Sequence, residues 1–176
     1  VDTASPGTSG LRSLPYPVIA AISGPVAGGG LSLALSADIR LATATASFSA
    51  GFVRVGLSIG ELGASWHLSR VIGPARAAEI SFTGRTVKAD EAVRIGLANR
   101  VTAPDKLMDE ARAMATKIAG MRQEAVQVTK LACRTAEDTN LNDSWTYADE
   151  LLECMKADPG YQGLQSVTSE WAGRAR

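Results

Sequence analysis

A chain of 176 residues, 45% hydrophobic and 20% charged, is long enough to bury a real core and too apolar to stay unfolded. Its 18 basic and 18 acidic residues cancel, so no long-range field gathers a nucleic-acid backbone or an anionic membrane surface. No apolar run reaches the roughly eighteen residues of a membrane span, and the opening VDTASPGTSG has neither the basic nor the apolar part of a secretion signal. The expectation is a cytoplasmic protein with no nucleic-acid or membrane partner. Cys133 and Cys154 lack metal-ligand spacing and sit in segments of helical pattern, which fits reduced thiols and no metal site.

Residues 1–14, rich in Ser, Thr, Gly and Pro, predict a mobile loop or a ragged end. YPVIAAIS, residues 16–23, is a short β-branched apolar run between Pro15 and Gly24-Pro25 and predicts a buried strand. LSLALSA, residues 31–37, predicts a short helix packed closely on a sheet, and DIRLA (38–42) and SFSA (47–50) predict two more strands. ELGASWHLSRVIG, residues 61–73, places Leu62, Trp66 and Ser69 or Arg70 at helical spacing and stops at Gly73-Pro74. PARAAEISFTG (74–84) opens with Pro at a first helical position and ends at Gly84. KADEAVRIG (88–96) predicts a short helix and LANRVTA (97–103) a strand. Residues 104–121 predict an amphipathic helix with Leu107, Ala111, Met114 and Ile118 on one face. Further helices are expected over about 123–137, 142–156 and 160–172. Strands and helices alternate and then helices alone follow, which predicts an α/β core over 15–103, a helical region over 104–176, and a seam near Val101 to Asp105.

Three glycines in a row, Gly28 to Gly30, separate the first strand pattern from the first helix pattern. A phosphate-binding P-loop would need Lys and a hydroxyl where Gly30 and Leu31 stand after the Gly24/Gly29 spacing. A dinucleotide fingerprint starting at Gly28 and Gly30 has Leu33 as its third position and no acidic residue at the ribose distance. Two readings survive. The glycines relieve crowding in a tight turn, or they clear the approach to the first N–H groups of a helix, which are unpaired and carry the positive end of its dipole. The second arrangement is that of an oxyanion hole.

The stretch PVIAAISGPVAGGGLSLALSADIRLATATASFSAGFVRVGLS, followed by LSRVIGPARAAEISFTGRTVKADEAVRIGLANRV, closely resembles the enoyl-CoA hydratase/isomerase family of the crotonase superfamily. The resemblance covers about residues 12–176. It implies a ββα spiral core, a helical C-terminal region that builds homotrimers often paired as hexamers, and an acyl-CoA thioester as substrate, with no cofactor beyond the coenzyme A carried by that substrate. Gly29 matches the position whose N–H is one of two oxyanion donors, with Gly28, Gly30, Phe52 and Leu57 expected to line the substrate.

Two departures qualify this resemblance. Hydratases of the family carry glutamates at the positions held here by Ser32 and Phe52, and neither residue acts as an acid or base near neutral pH. Glu61 resembles, with a one-residue shift, the site where branches including the dienoyl-CoA isomerases place an Asp or Glu near the acyl chain. Its plainer reading is a first-turn glutamate favoured by the helix dipole. Burial beside Phe52 and Leu57 is expected to raise its pKa toward the range of a general base. The family's preceding N-terminal strands, which supply the second oxyanion N–H and much of the CoA surface, do not precede this segment; a longer protein is expected, with a truncated relative as the alternative. Without them the strand at 16–23 exposes an unpaired edge. The resemblance leads to a hydratase or isomerase working through a stabilised enolate. A non-catalytic acyl-CoA-binding protein, and a hydrolase or decarboxylase of the same superfamily, are the alternatives.

His67, the single histidine, has no Ser or Cys partner at a telling spacing and reads as a surface or packing residue. Trp145, Tyr147 and Trp171 read as core or subunit packing. Arg174 and Arg176 are candidates for CoA phosphates or for a solvated basic end.

Overall fold

The computed structural model describes residues 6–157, with the side chains of residues 6–9 and of Glu61 outside that description. Contacts divide the chain into two compact units, residues 1–121 and residues 122–176.

In the first unit, β1 (Ile19–Ile22), β3 (Ile39–Thr43) and β6 (Arg100–Thr102) form one sheet with β3 in the middle. All pairs are parallel, with Ile19 opposite Ile39 and Leu41 opposite Arg100. A second sheet orders β2 (Pro25–Ala27), β4 (Ser47–Ser49) and β5 (Thr86–Lys88), with β4 parallel to β2 and antiparallel to β5. The chain therefore gives one strand to each sheet, then a helix, and repeats. β1 and β2 lead into α2 (Gly29–Ser36), and β3 and β4 lead into α3 (Ala64–Ile72) and α4 (Pro74–Thr83). This is the expected ββα spiral. Its parallel pairs need crossover connections, and the helices supply them.

The sequence dictates most of these elements locally. β3 reads as continuous burial from Arg40 to Thr43, as a strand covered on both faces should. Gly73, at φ 82°, turns the chain between α3 and α4, and Pro74 starts α4 at a position where its missing N–H costs nothing. The core joins Ile22 and Ala42 of the first sheet and Phe48 and Val87 of the second to Leu31, Leu68 and Ile80 of the helices. On the other side of β3, α6 (Leu107–Ala119) packs Leu107, Ala111 and Met114 against Leu41, Ile19 and Ile39. In the second unit, α7 (Gln123–Thr135) and α8 (Leu141–Ala157) pack on each other. Asn140 caps α8 by accepting from the Asp143 N–H at 3.0 Å.

Several expectations need correction. Pro6–Ser13 form a helix, α1, where composition predicts a loop; it packs on α2. β2 and β5 are three-residue elements that no local pattern announces, β5 running directly into α5 (Ala89–Arg94), and two 3-10 turns, Gly51–Val55 and Glu61–Gly63, interrupt the segment between β4 and α3. The strand expected over 97–103 narrows to β6. Of the core or subunit packing expected for Trp145, the core half does not hold, since Trp145 is exposed on α8. The helix expected at 160–172, together with Trp171, Arg174 and Arg176, lies outside the described residues.

Candidate active site

The site begins at Gly28. Its φ of 51° and ψ of −124° are available to glycine and not to an ordinary L-residue, and they turn the chain from β2 into the first turn of α2. The helix closes its first bond from the Ser32 N–H to the Gly28 carbonyl at 3.1 Å. No side chain caps it. The N–H groups of Gly29 and Gly30 precede that bond and find no acceptor among the described residues.

Bareness here concerns space as well as dihedrals. A methyl group built on Gly28 or on Gly30 meets nothing within 4 Å. One built on Gly29 meets Cδ1 of Leu62 at 3.2 Å. One apolar side chain thus leans on the Cα beside a Gly29 amide that finds no acceptor among the described residues.

Leu62 reaches that position from the 3-10 turn Glu61–Gly63, which stands directly before α3. The turn is held by the Gly60 N–H on Ser58 Oγ at 3.1 Å and by the Ser65 N–H on the Ile59 carbonyl at 3.1 Å. Leu62 itself has φ 55° and ψ 21°, and is the one non-glycine residue at positive φ among the described residues. Sequence reasoning missed it, because a leucine in a helix-like pattern gives no sign of a left-handed backbone.

The structure brings the backbone of Glu61 close to Gly29 through its neighbour Leu62. The expected burial of the Glu61 carboxyl falls on a side chain outside those described. Ser32 is fully buried, with its hydroxyl turned back on the Gly28 carbonyl at 3.4 Å and its own carbonyl accepting from Ser36 Oγ at 2.8 Å. A hydroxyl so placed serves the helix. Phe52 is buried in the 3-10 turn Gly51–Val55, and its carbonyl accepts from the Leu57 N–H at 2.9 Å, while the Leu57 side chain is exposed. His67 is buried, edge-on to Trp66 with ring centroids 4.9 Å apart, and its imidazole lies 3.7 Å from where a Gly63 methyl would sit. It is a packing residue. Trp66 also carries the guanidinium groups of Arg12 and Arg70, at 4.5 and 3.8 Å from the ring centre. Among the described residues, no three His, Cys, Asp or Glu gather as metal ligands, and no helix is long and apolar enough to cross a membrane.

Two stacked sheets wound as ββα turns, with an uncapped glycine amide at the first helix, define an α/β protein of the crotonase type. Residues 3–167 match the family model described as Enoyl-CoA hydratase/isomerase, and the chain belongs to that family. A protein of Mycobacterium tuberculosis named probable enoyl-CoA hydratase is 49% identical over 120 residues, 68% of this chain and 42% of that one. The solved structure of a monofunctional enoyl-CoA isomerase from M. smegmatis is 41% identical, covering 78% of this chain and 65% of its own, with a TM-score of 0.73. A Thermobifida fusca structure assigned as an enoyl-CoA hydratase, solved in complex with CoA, is 30% identical, covering 84% and 57%, with a TM-score of 0.79. The chain spans about half the length of the curated relatives it matches first.

Proposed function

We propose that the protein binds an acyl-CoA thioester and polarises its carbonyl with the Gly29 N–H, as an isomerase or hydratase of enoyl-CoA esters. The observation that carries this reading is the unbonded Gly29 amide at the start of α2, flanked by open space at Gly28 and Gly30. In this mechanism the Glu61 carboxylate takes a proton from C2 of the acyl chain. The electron pair moves into an enolate whose oxygen accepts from Gly29, and return of the proton at C4 shifts the double bond. A preorganised donor of this kind lowers the barrier by about 3 to 4 kcal/mol. The chemistry needs no cofactor besides the CoA of the substrate, and oligomerisation as a homotrimer or hexamer belongs to the same proposal.

One carboxylate suits a proton shift better than addition of water, because hydration needs one group to activate water and another to protonate C2. Ser32 and Phe52 offer neither. Hydration, the activity in most of the relatives' names, and isomerisation, which the single carboxylate favours and which one structural relative's name carries, are therefore tested side by side. The same two residues favour, as an alternative, a protein that binds acyl-CoA without turning it over.

The test uses the full-length protein with 3-enoyl-, dienoyl- and crotonyl-CoA, beside Gly29→Pro and Glu61→Gln. Proline at a first helical position deletes the N–H while keeping the helix start, and Gly28 already lies in the mirror image of the extended region that precedes prolines. Gly29→Pro is expected to lose about 100- to 1,000-fold in kcat, and Glu61→Gln about 100- to 10,000-fold with an unfolding temperature near the parent; because the proline ring meets Leu62 Cδ1, the loss in Gly29→Pro is read against Gly29→Ala, which adds the same Cβ and keeps the N–H. Unchanged turnover in Gly29→Pro removes the oxyanion reading; unchanged turnover in Glu61→Gln removes the proton shuttle alone.

A further inference from the structure

Leu62 presents two facts that packing alone does not reconcile. Its backbone sits in the left-handed region that disfavours a leucine, and its side chain, 38% exposed, is not buried in return. Its Cδ1 stands over Gly29, 3.2 Å from where a methyl group on that residue would sit, a contact the leucine would have to loosen slightly. A glycine would fill the turn without strain.

We infer that Leu62 is a specificity-determining residue, an apolar wall that limits the substituent on the acyl carbon next to the thioester. This rests on the reading that the Gly29 N–H holds the thioester oxygen. An oxygen bonded to that N–H lies about 2.9 Å from the nitrogen, and the adjacent acyl carbon is two bonds further on. A leucine Cδ1 standing 3.2 Å from the Cβ position of Gly29 lies within about 6 Å of the Gly29 nitrogen, so it borders the space that groups on that carbon would occupy. A straight-chain ester carries hydrogen there and fits beside the leucine. A 2-methyl branch competes with Cδ1 for the same volume.

The experiment compares crotonyl-CoA with 2-methylcrotonyl-CoA in the full-length protein, in Leu62→Ala and in Leu62→Gly. Selectivity is read as the ratio of kcat/KM, or of Kd if neither ester turns over. Removing the side chain should shift the ratio toward the branched ester by about tenfold or more in both variants, since one methyl group in a pocket discriminates by roughly 10- to 200-fold. Leu62→Gly suits the observed dihedrals and keeps the turn folded. A ratio unchanged in both variants overturns the inference and leaves the oxyanion reading standing. A shift in Leu62→Gly alone also overturns it, because backbone flexibility rather than the side chain is then responsible. A parent protein that binds neither ester overturns the oxyanion reading and this inference with it.

Discussion

Gly28, Gly29 and Gly30 are adjacent and identical, yet each answers a different constraint. Gly28 is fixed by its dihedrals, φ 51° and ψ −124°. Gly29 is limited by Leu62, and Gly30 by nothing within the described residues, since a methyl there meets no atom within 4 Å. Alanine at position 30 should therefore stabilise the protein, by up to about 1 kcal/mol, because glycine in a helix costs that much relative to alanine. If the open volume is where substrate lies, the same substitution weakens acyl-CoA binding. Thermal unfolding and Kd for a CoA ester, measured on Gly30→Ala, separate the two effects. A rise in unfolding temperature with unaltered affinity means that the bare backbone at this residue has no ligand to admit. The sequence shows the triple glycine. It does not show which glycine is conformational and which steric. That distinction depends on Leu62, 33 positions away, whose left-handed backbone runs against its own propensity.

Among the elements, those with a full period of pattern are where the residues point: β1 in YPVIAAIS, β3 in DIRLA, α3 up to Gly73-Pro74, and α6 with its apolar stripe. β2 and β5 are three residues long and exist because β4 pairs with both, which no local window contains. The link between α4 and α5 is also set from outside the pattern. Arg85, just past the Gly84 cap of α4, forks onto both carboxylate oxygens of Glu79 at 2.6 and 2.9 Å and both of Glu91 at 2.7 and 2.9 Å. It ties α4 to α5 across β5. Hydrogen bonds from this guanidinium hold the Glu79 and Glu91 carboxyls below their ordinary value, against a smaller opposing effect of desolvation, and the guanidinium's charge adds a lesser lowering. A carboxylate whose pKa is depressed by folding stabilises the native state above its unfolded value, and that contribution disappears as pH falls through the folded one. Arg85→Met should therefore lower the unfolding temperature at pH 7, and the gap from the parent should close as the pH drops below the ordinary glutamate value of 4.5. The pairs are partly exposed, so the gap at pH 7 should also shrink with added salt. A gap independent of pH would assign the role of Arg85 to packing of its aliphatic stem.

On the scale of the whole molecule, the order of strand and helix patterns is legible, but the winding that assigns alternate strands to two sheets is not. β1 and β2 are separated by two residues and lie in different sheets, each pairing with a strand that arrives only after α2. What commits the chain to that winding includes polar groups buried where the turns of the spiral meet. Asp38 accepts from the Val18 N–H at 2.7 Å and fixes the start of β3 beside that of β1. Arg40, on the middle strand, is buried and donates to the Ala37 carbonyl at 2.7 Å and the Leu97 carbonyl at 2.8 Å. Its backbone exchanges bonds with Asn99, donating to Oδ1 at 2.8 Å and accepting from the N–H at 2.9 Å. The guanidinium thus joins the end of α2 to the loop before β6, two successive turns of the spiral. Burial lowers its pKa and the charge of Asp38 partly restores it, so the group is costly to bury and is held by the bonds it makes. Arg40→Met keeps the apolar stem and strands two buried carbonyls, which should cost about 3 kcal/mol and lower the unfolding temperature by about 10 °C. Arg40→Lys should recover part of this, since an ammonium reaches one carbonyl but cannot fork to both. Denaturant unfolding of the three proteins at neutral pH measures the difference. A loss below about 1 kcal/mol in Arg40→Met would mean that water reaches both carbonyls, and that the closure between turns depends on the apolar core around Leu31, Phe48 and Leu97 instead.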